Sequence, residues 1–94
     1  MHIYERTKIT HVAIRFRGKV YSLPSPNRHH HVISMIVAET GAHTVDARDD
    51  DQGFLDETGT FLRRGQALVS AQLHGQIKPG AVIRGAKLYS EDVW

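Results

Sequence analysis

The sequence predicts an α+β fold: a small antiparallel sheet built from hairpins, with two helices packed against it. Three observations predict it. Apolar and polar residues alternate with period two near the start of the chain. Two later stretches repeat apolar residues at three- and four-residue spacing. Glycine and proline punctuate the joins. With 94 residues and no cysteine, the chain has room for one domain, residues 1–94, and no disulfide framework.

The elements follow in order. In KITHVAIRF, Val12, Ile14 and Phe16 share one face and His11, Ala13, Arg15 and Arg17 the other, as in a half-buried strand. Gly18 turns the chain, KVYSLP returns it, and Pro24 ends the return because proline cannot extend a ladder. Ser25 and Pro26 then read as helix cap and first helical residue. Val32, Ile33, Met35, Ile36 and Val37 supply the apolar stripe, and Gly41 closes the helix near residues 39–41. A short strand is expected at Thr44 to Ala47, then an acidic loop, then a hairpin turning at Glu57-Thr58-Gly59. Ala67, Leu68, Ala71 and Leu73 define a second helix of about ten residues ended by Gly75. The segments AVIRG and AKLYSEDVW read as one or two final strands.

Composition narrows the function. The absence of cysteine excludes thiolate zinc sites and cysteine nucleophiles. The first twenty residues carry charge throughout, so neither a signal peptide nor a membrane span is expected there, and a cytoplasmic location follows as the expectation. A formal net charge of +2 is too small for non-specific coating of nucleic acid, yet eight of the twelve cations are arginine, whose flat fork suits phosphate and carboxylate.

Both helix openings break a rule. A helix start carries partial positive charge and favours acids, but the first opens with Asn27, Arg28, His29, His30 and His31. The second opens with Arg63, Arg64 and Gly65 where a capping Ser, Thr, Asp or Asn is expected. First-turn amides beside an arginine fork form a phosphate site that needs no enzyme chemistry. The competing reading is solvated basic surface, with an arginine paired to a carboxylate of the acidic loop. Consecutive helical residues lie about 100° apart, so His29, His30 and His31 cannot all face one metal ion. Asp46, Asp49, Asp50 and Asp51 do not form a calcium loop: aligning Gly53 with the invariant glycine puts Arg48 first and Gly59 where a bidentate glutamate belongs. No template for a phosphate loop, a catalytic serine elbow, a zinc protease or a dinucleotide fold occurs. Neither catalytic residues nor a metal or other cofactor is expected. Phe54 and Trp94 are candidates to stack on a base, with the core as their other use.

The strings VAIRFRGKVYSLPSPNRHHHVI, QGFLDETGTFLRRGQALVSAQLHGQI and LYSEDVW resemble the pattern of the phage Thoeris anti-defence proteins of the first-described class, across most of residues 8 to 94. Its most specific parts are PNRHHHVI, GFL with GxF three residues on, and SEDVW. The resemblance implies a non-enzymatic sponge that holds cyclic ADP-ribose isomers made by bacterial TIR-domain immune sensors. For some members it implies cyclic di- or trinucleotides at separate sites, which extends the blocked immunity from Thoeris to CBASS. It also implies a homo-oligomer, a hexamer built from dimers, acting in the host bacterial cytoplasm. The matched positions are Asn27, Arg28, His29, His30, Gly53, Phe54 and the final Ser90, Glu91, Asp92 and Trp94. Arg28 and the helix amides would hold phosphate, Phe54 would stack on adenine, and Glu91 or Asp92 would accept hydrogen bonds from ribose or a base amine. Asn27 suits either role. Arg63 and the acidic loop at Asp49 to Asp51 depart from the pattern, which bears on ligand choice. Two other functions compete: a small metal-dependent nuclease or phosphodiesterase using His29 to His31, and a basic nucleic-acid module using Arg6, Lys8, Arg15, Arg17 and Lys19.

Overall fold

Alternation along the first strand fixes the face on which everything else packs. The computed structural model describes residues 8–45, 48 and 51–94. Its elements are β1 (Ile9–Phe16), β2 (Lys19–Pro24), α1 (His29–Thr40), β3 (Gln52–Asp56), β4 (Phe61–Arg63) and α2 (Arg64–Leu73). A C-terminal segment with a 3-10 turn at Ser90–Asp92 follows. The strands form one antiparallel sheet in the order β2-β1-β3-β4, so the chain is α+β, with a hairpin and a helix used twice.

Leu23, Val12, Phe54 and Leu62 are successive cross-strand partners and therefore share one face. Val12 and Phe54 are fully buried there. Helix α1 brings Val32 and Ile36, one turn apart, and α2 brings Ala67, Leu68 and Ala71, whose small alanines allow a close approach. Leu88 closes the core from the C-terminal segment. On the opposite face Ala13 is also fully buried, contrary to its expected exposure beside His11 and Arg15. The ring of Phe61 reaches across to Gly53, the cross-strand partner of Ala13, and the Arg15 guanidinium lies 4.8 Å above that ring.

The first helix starts later than its Ser-Pro signal suggested. Ser25–Pro26 is a cis peptide in a turn closed by the Asn27 N–H to the Pro24 carbonyl at 3.1 Å. The Ser25 N–H meanwhile donates to the Thr10 carbonyl, extending the ladder. Those residues are spent leaving the sheet edge, and Arg28 caps the helix instead. Gly41 ends it as expected, in the left-handed conformation with its N–H on the Val37 carbonyl at 2.9 Å. The β3–β4 hairpin turns at Glu57-Thr58-Gly59 as expected. There the Asp56 carboxylate accepts from the Thr58 N–H, the Thr58 hydroxyl and the Thr60 N–H.

Two expected strand regions differ. Thr44 and Val45 are outside any strand, and Asp46 and Ala47 lie outside the described residues, as do Arg6, Asp49 and Asp50. The final strands are absent: residues 81–94 hold one isolated bridge, Arg84 to Lys87, and the 3-10 turn. That segment is pinned to α2 rather than laddered to a sheet edge. The Leu88 N–H donates to the Arg64 carbonyl at 3.0 Å, and the Arg64 guanidinium donates back to the Leu88 carbonyl at 2.9 Å.

Gly53 is the tightest point of the sheet. A Cβ there would stand 2.1 Å from the Leu62 carbonyl oxygen and 2.9 Å from the tip of the Phe61 ring. The first obstacle is backbone and cannot rotate away. Gly53→Ala is expected to cost about 2 kcal/mol or more, read as a lower denaturant midpoint at unchanged slope.

Candidate functional site

The two anomalous helix openings converge. Between the start of α1 and the C-terminal segment lies a pocket of about 320 Å³, walled by Arg28, His29 and His30 on one side and Tyr89, Ser90 and Glu91 on the other. Arg64 forms part of its wall and also faces a second cleft of about 360 Å³, which Arg63, Gly65 and Gln66 share with the Gly85–Ala86–Lys87 turn. Of the residues singled out from sequence, Arg28, His29, His30, Arg64, Ser90 and Glu91 meet in the first pocket, and Arg63 faces the neighbouring cleft.

Neither helix has an acid in its first turn. The caps are arginines, whose side chains offer no acceptor to first-turn amides. Each cap is held by its own N–H instead: Arg28 donates to His31 Nδ1 at 2.9 Å, and Arg63 to Gln66 Oε1 at 3.0 Å. These are the reciprocal halves of capping boxes. The Arg28 guanidinium reaches the main-chain oxygen of Trp94 at 2.8 Å. Among the described residues, Arg15 pairs with Asp51 at 3.6 Å and Arg84 with Glu91 at 2.5 Å. Asp51 of the acidic loop thus pairs with an arginine of β1.

Arg64 is a structural tie. It is 6 % exposed, donates to the Leu88 carbonyl and to Gln52 Oε1 at 2.8 Å, and stacks over the Tyr89 ring at 4.4 Å. Arg84 lies over the same ring at 4.5 Å. Tyr89 and the Gly85–Lys87 turn were absent from the sequence-predicted site. The flanking of SED by Tyr89 and Trp94 was the available signal for the tyrosine, and the turn carried none.

Several expected contacts are corrected. Phe54 cannot stack on a ligand, because it is fully buried, edge-on to His29 at 5.1 Å and to Trp94 at 6.1 Å. Gly53 is buried within β3 and supplies a carbonyl to the protein itself. Asp92 is 3 % exposed and its carboxylate accepts the Tyr89 N–H at 2.9 Å, which leaves Glu91 as the accessible acid. Asn27 also serves the fold, its side-chain amide donating to the Pro24 carbonyl and its own carbonyl accepting the Trp94 indole N–H. Trp94 is therefore a clasp across the start of α1. No metal cluster of three or more His, Asp or Glu occurs among the described residues.

His29 Nε2 donates to the Gly53 carbonyl at 2.8 Å, which fixes its tautomer. Burial lowers its pKa from 6.5 to about 4, aided by the charge of Arg64 and opposed by the bond to Gly53. The ring is neutral in the folded protein at neutral pH.

The family described as phage T4 y16D protein matches the chain over residues 8–94, and the chain belongs to it. No curated protein and no solved structure matches.

Because the folded pKa of His29 is depressed, its contribution to stability is complete above about pH 6.5 and is lost as pH falls toward 4, on the order of 3 kcal/mol in all. His29→Gln, which keeps a donor for the Gly53 carbonyl, is expected to flatten the acid limb of denaturant midpoint against pH.

Proposed function

We propose that this member of the phage T4 y16D protein family is a non-enzymatic sponge for a cyclic nucleotide immune signal. The ligand class is the cyclic ADP-ribose isomers made by TIR-domain sensors, with cyclic di- or trinucleotides as further ligands. Binding them would block Thoeris or CBASS immunity in the host bacterial cytoplasm. The observation that carries the reading is the pocket at the start of α1, where Arg28, His29 and His30 stand opposite a wall bearing Glu91. One side suits phosphate oxygens, and the other accepts hydrogen bonds from ribose hydroxyls or a base amine.

The volume fits one phosphate-sugar portion of such a ligand rather than the whole. A second copy of the chain would supply the remaining walls, consistent with a homo-oligomer assembled from dimers into a hexamer. Among the described residues no helix is long and apolar enough to cross a membrane. The nuclease reading gains nothing from the geometry, since His29 is committed to a backbone carbonyl while His30 and His31 are exposed.

The deciding experiment incubates the protein with a TIR-made cyclic ADP-ribose isomer, filters it, boils the retentate and filters again. Return of the intact molecule is the expected result. Recovery of a cleaved product would make the protein an enzyme, and a ligand never retained would remove this signal class. His30→Ala is expected to weaken retention several-fold with stability unchanged, because its side chain is exposed. Arg28→Ala is expected to weaken it tenfold or more and to cost about 1 kcal/mol of stability through the lost bond to Trp94.

A further inference from the structure

An incoming anion meets, in the wall of the α1 pocket, an imidazole that carries no charge. Nε2–H of His29 is occupied by the Gly53 carbonyl. Nδ1 is therefore the ring atom able to accept a proton. The charged and titratable groups that line the pocket with the ring are Arg28 and His30 from α1, Arg64 from α2, and Tyr89 and Glu91 from the C-terminal segment, and Arg64 is the one whose charge acts on it. Strand β3 presents only Gly53 and the edge-on ring of Phe54. The one carboxylate in this set, Glu91, is paired with Arg84. Burial first, and then the charge of Arg64, oppose a cation at His29. A dianion seated in the pocket reverses the local sign and favours one.

We propose that anion capture in this pocket is coupled to protonation of His29: as a dianion seats against Arg28 and the α1 start, Nδ1 takes a proton from solvent. The inference rests on the phosphate-binding reading of the pocket and specifies its regulation. The donor is solvent hydronium, so one O–H bond breaks as one N–H bond forms and water is released. Imidazolium donates from both nitrogens, so the link to Gly53 persists and α1 keeps its place. Reciprocity is required: an anion that strengthens proton binding is itself bound more tightly, by the same factor, where the proton is present.

The test uses the intact chain and sulfate, which stays a dianion across the range, with the His29 ring signals followed by NMR separately from those of His30 and His31. Without sulfate the ring is expected to titrate near 4. With saturating sulfate the midpoint moves toward its ordinary value, and sulfate binds about tenfold more tightly at about pH 5 than at about pH 7.5. Compared in a His30→Ala background, so that no second pocket imidazole contributes, His29→Gln removes that pH dependence; should it not fold, the wild-type titration still decides. Sulfate binding with an unmoved His29 midpoint overturns the coupling and leaves the pocket reading standing. Binding of neither sulfate nor ADP-ribose at either pH overturns both.

Discussion

The bond from the neutral His29 imidazole to the Gly53 carbonyl, 2.8 Å long, is the constraint on which the remaining architecture depends. It ties the first residue of α1 to the second residue of β3, joining two parts of the chain that each begin with their own hairpin. Phe54, next along β3, is enclosed between His29 and Trp94, and Trp94 in turn grips the Asn27 carbonyl. Were the imidazole charged, a cation would be buried beside Arg64 with only a carbonyl dipole to compensate it.

Arg64 performs the matching task for the other helix. Its main chain and its side chain both hold Leu88, and its guanidinium plane supports Tyr89. This tie places Ser90 and Glu91 opposite Arg28 and His30, so the pocket is an outcome of core packing. A basic residue at a helix start can thus be a structural tie, as Arg64 is, or an exposed part of a pocket wall, as His30 is.

Much of this was legible in the sequence. Alternation gave β1, spacing gave α1 and α2, and the turn at Glu57-Thr58-Gly59 was visible from composition. The acid-free helix starts pointed to the pocket that Arg28, His30 and Glu91 share. What was not legible depends on partners distant in sequence. Ser25 and Pro26 imitate a helix start, and only the ladder bond from Ser25 to Thr10 reveals that they still belong to the sheet edge. Phe54 looked available because its neighbours are polar, whereas its burial is decided by Trp94, forty residues later. The C-terminal segment has the apolar content of a strand, but Leu88 is bonded to the main chain and side chain of Arg64 rather than to a strand, a choice that no periodicity records.

The order β2-β1-β3-β4 divides the chain into two hairpin-plus-helix halves that meet at an antiparallel seam between β1 and β3. Each half contributes side chains to one shared core: Val12, Val32 and Ile36 from the first, Phe54, Leu62 and Ala71 from the second. Neither half can therefore cover its own oily surface, although no sequence repeat links them. In folding terms the protein resembles a heterodimer whose subunits happen to be tethered, so that order in either fragment is conditional on the presence of its complement.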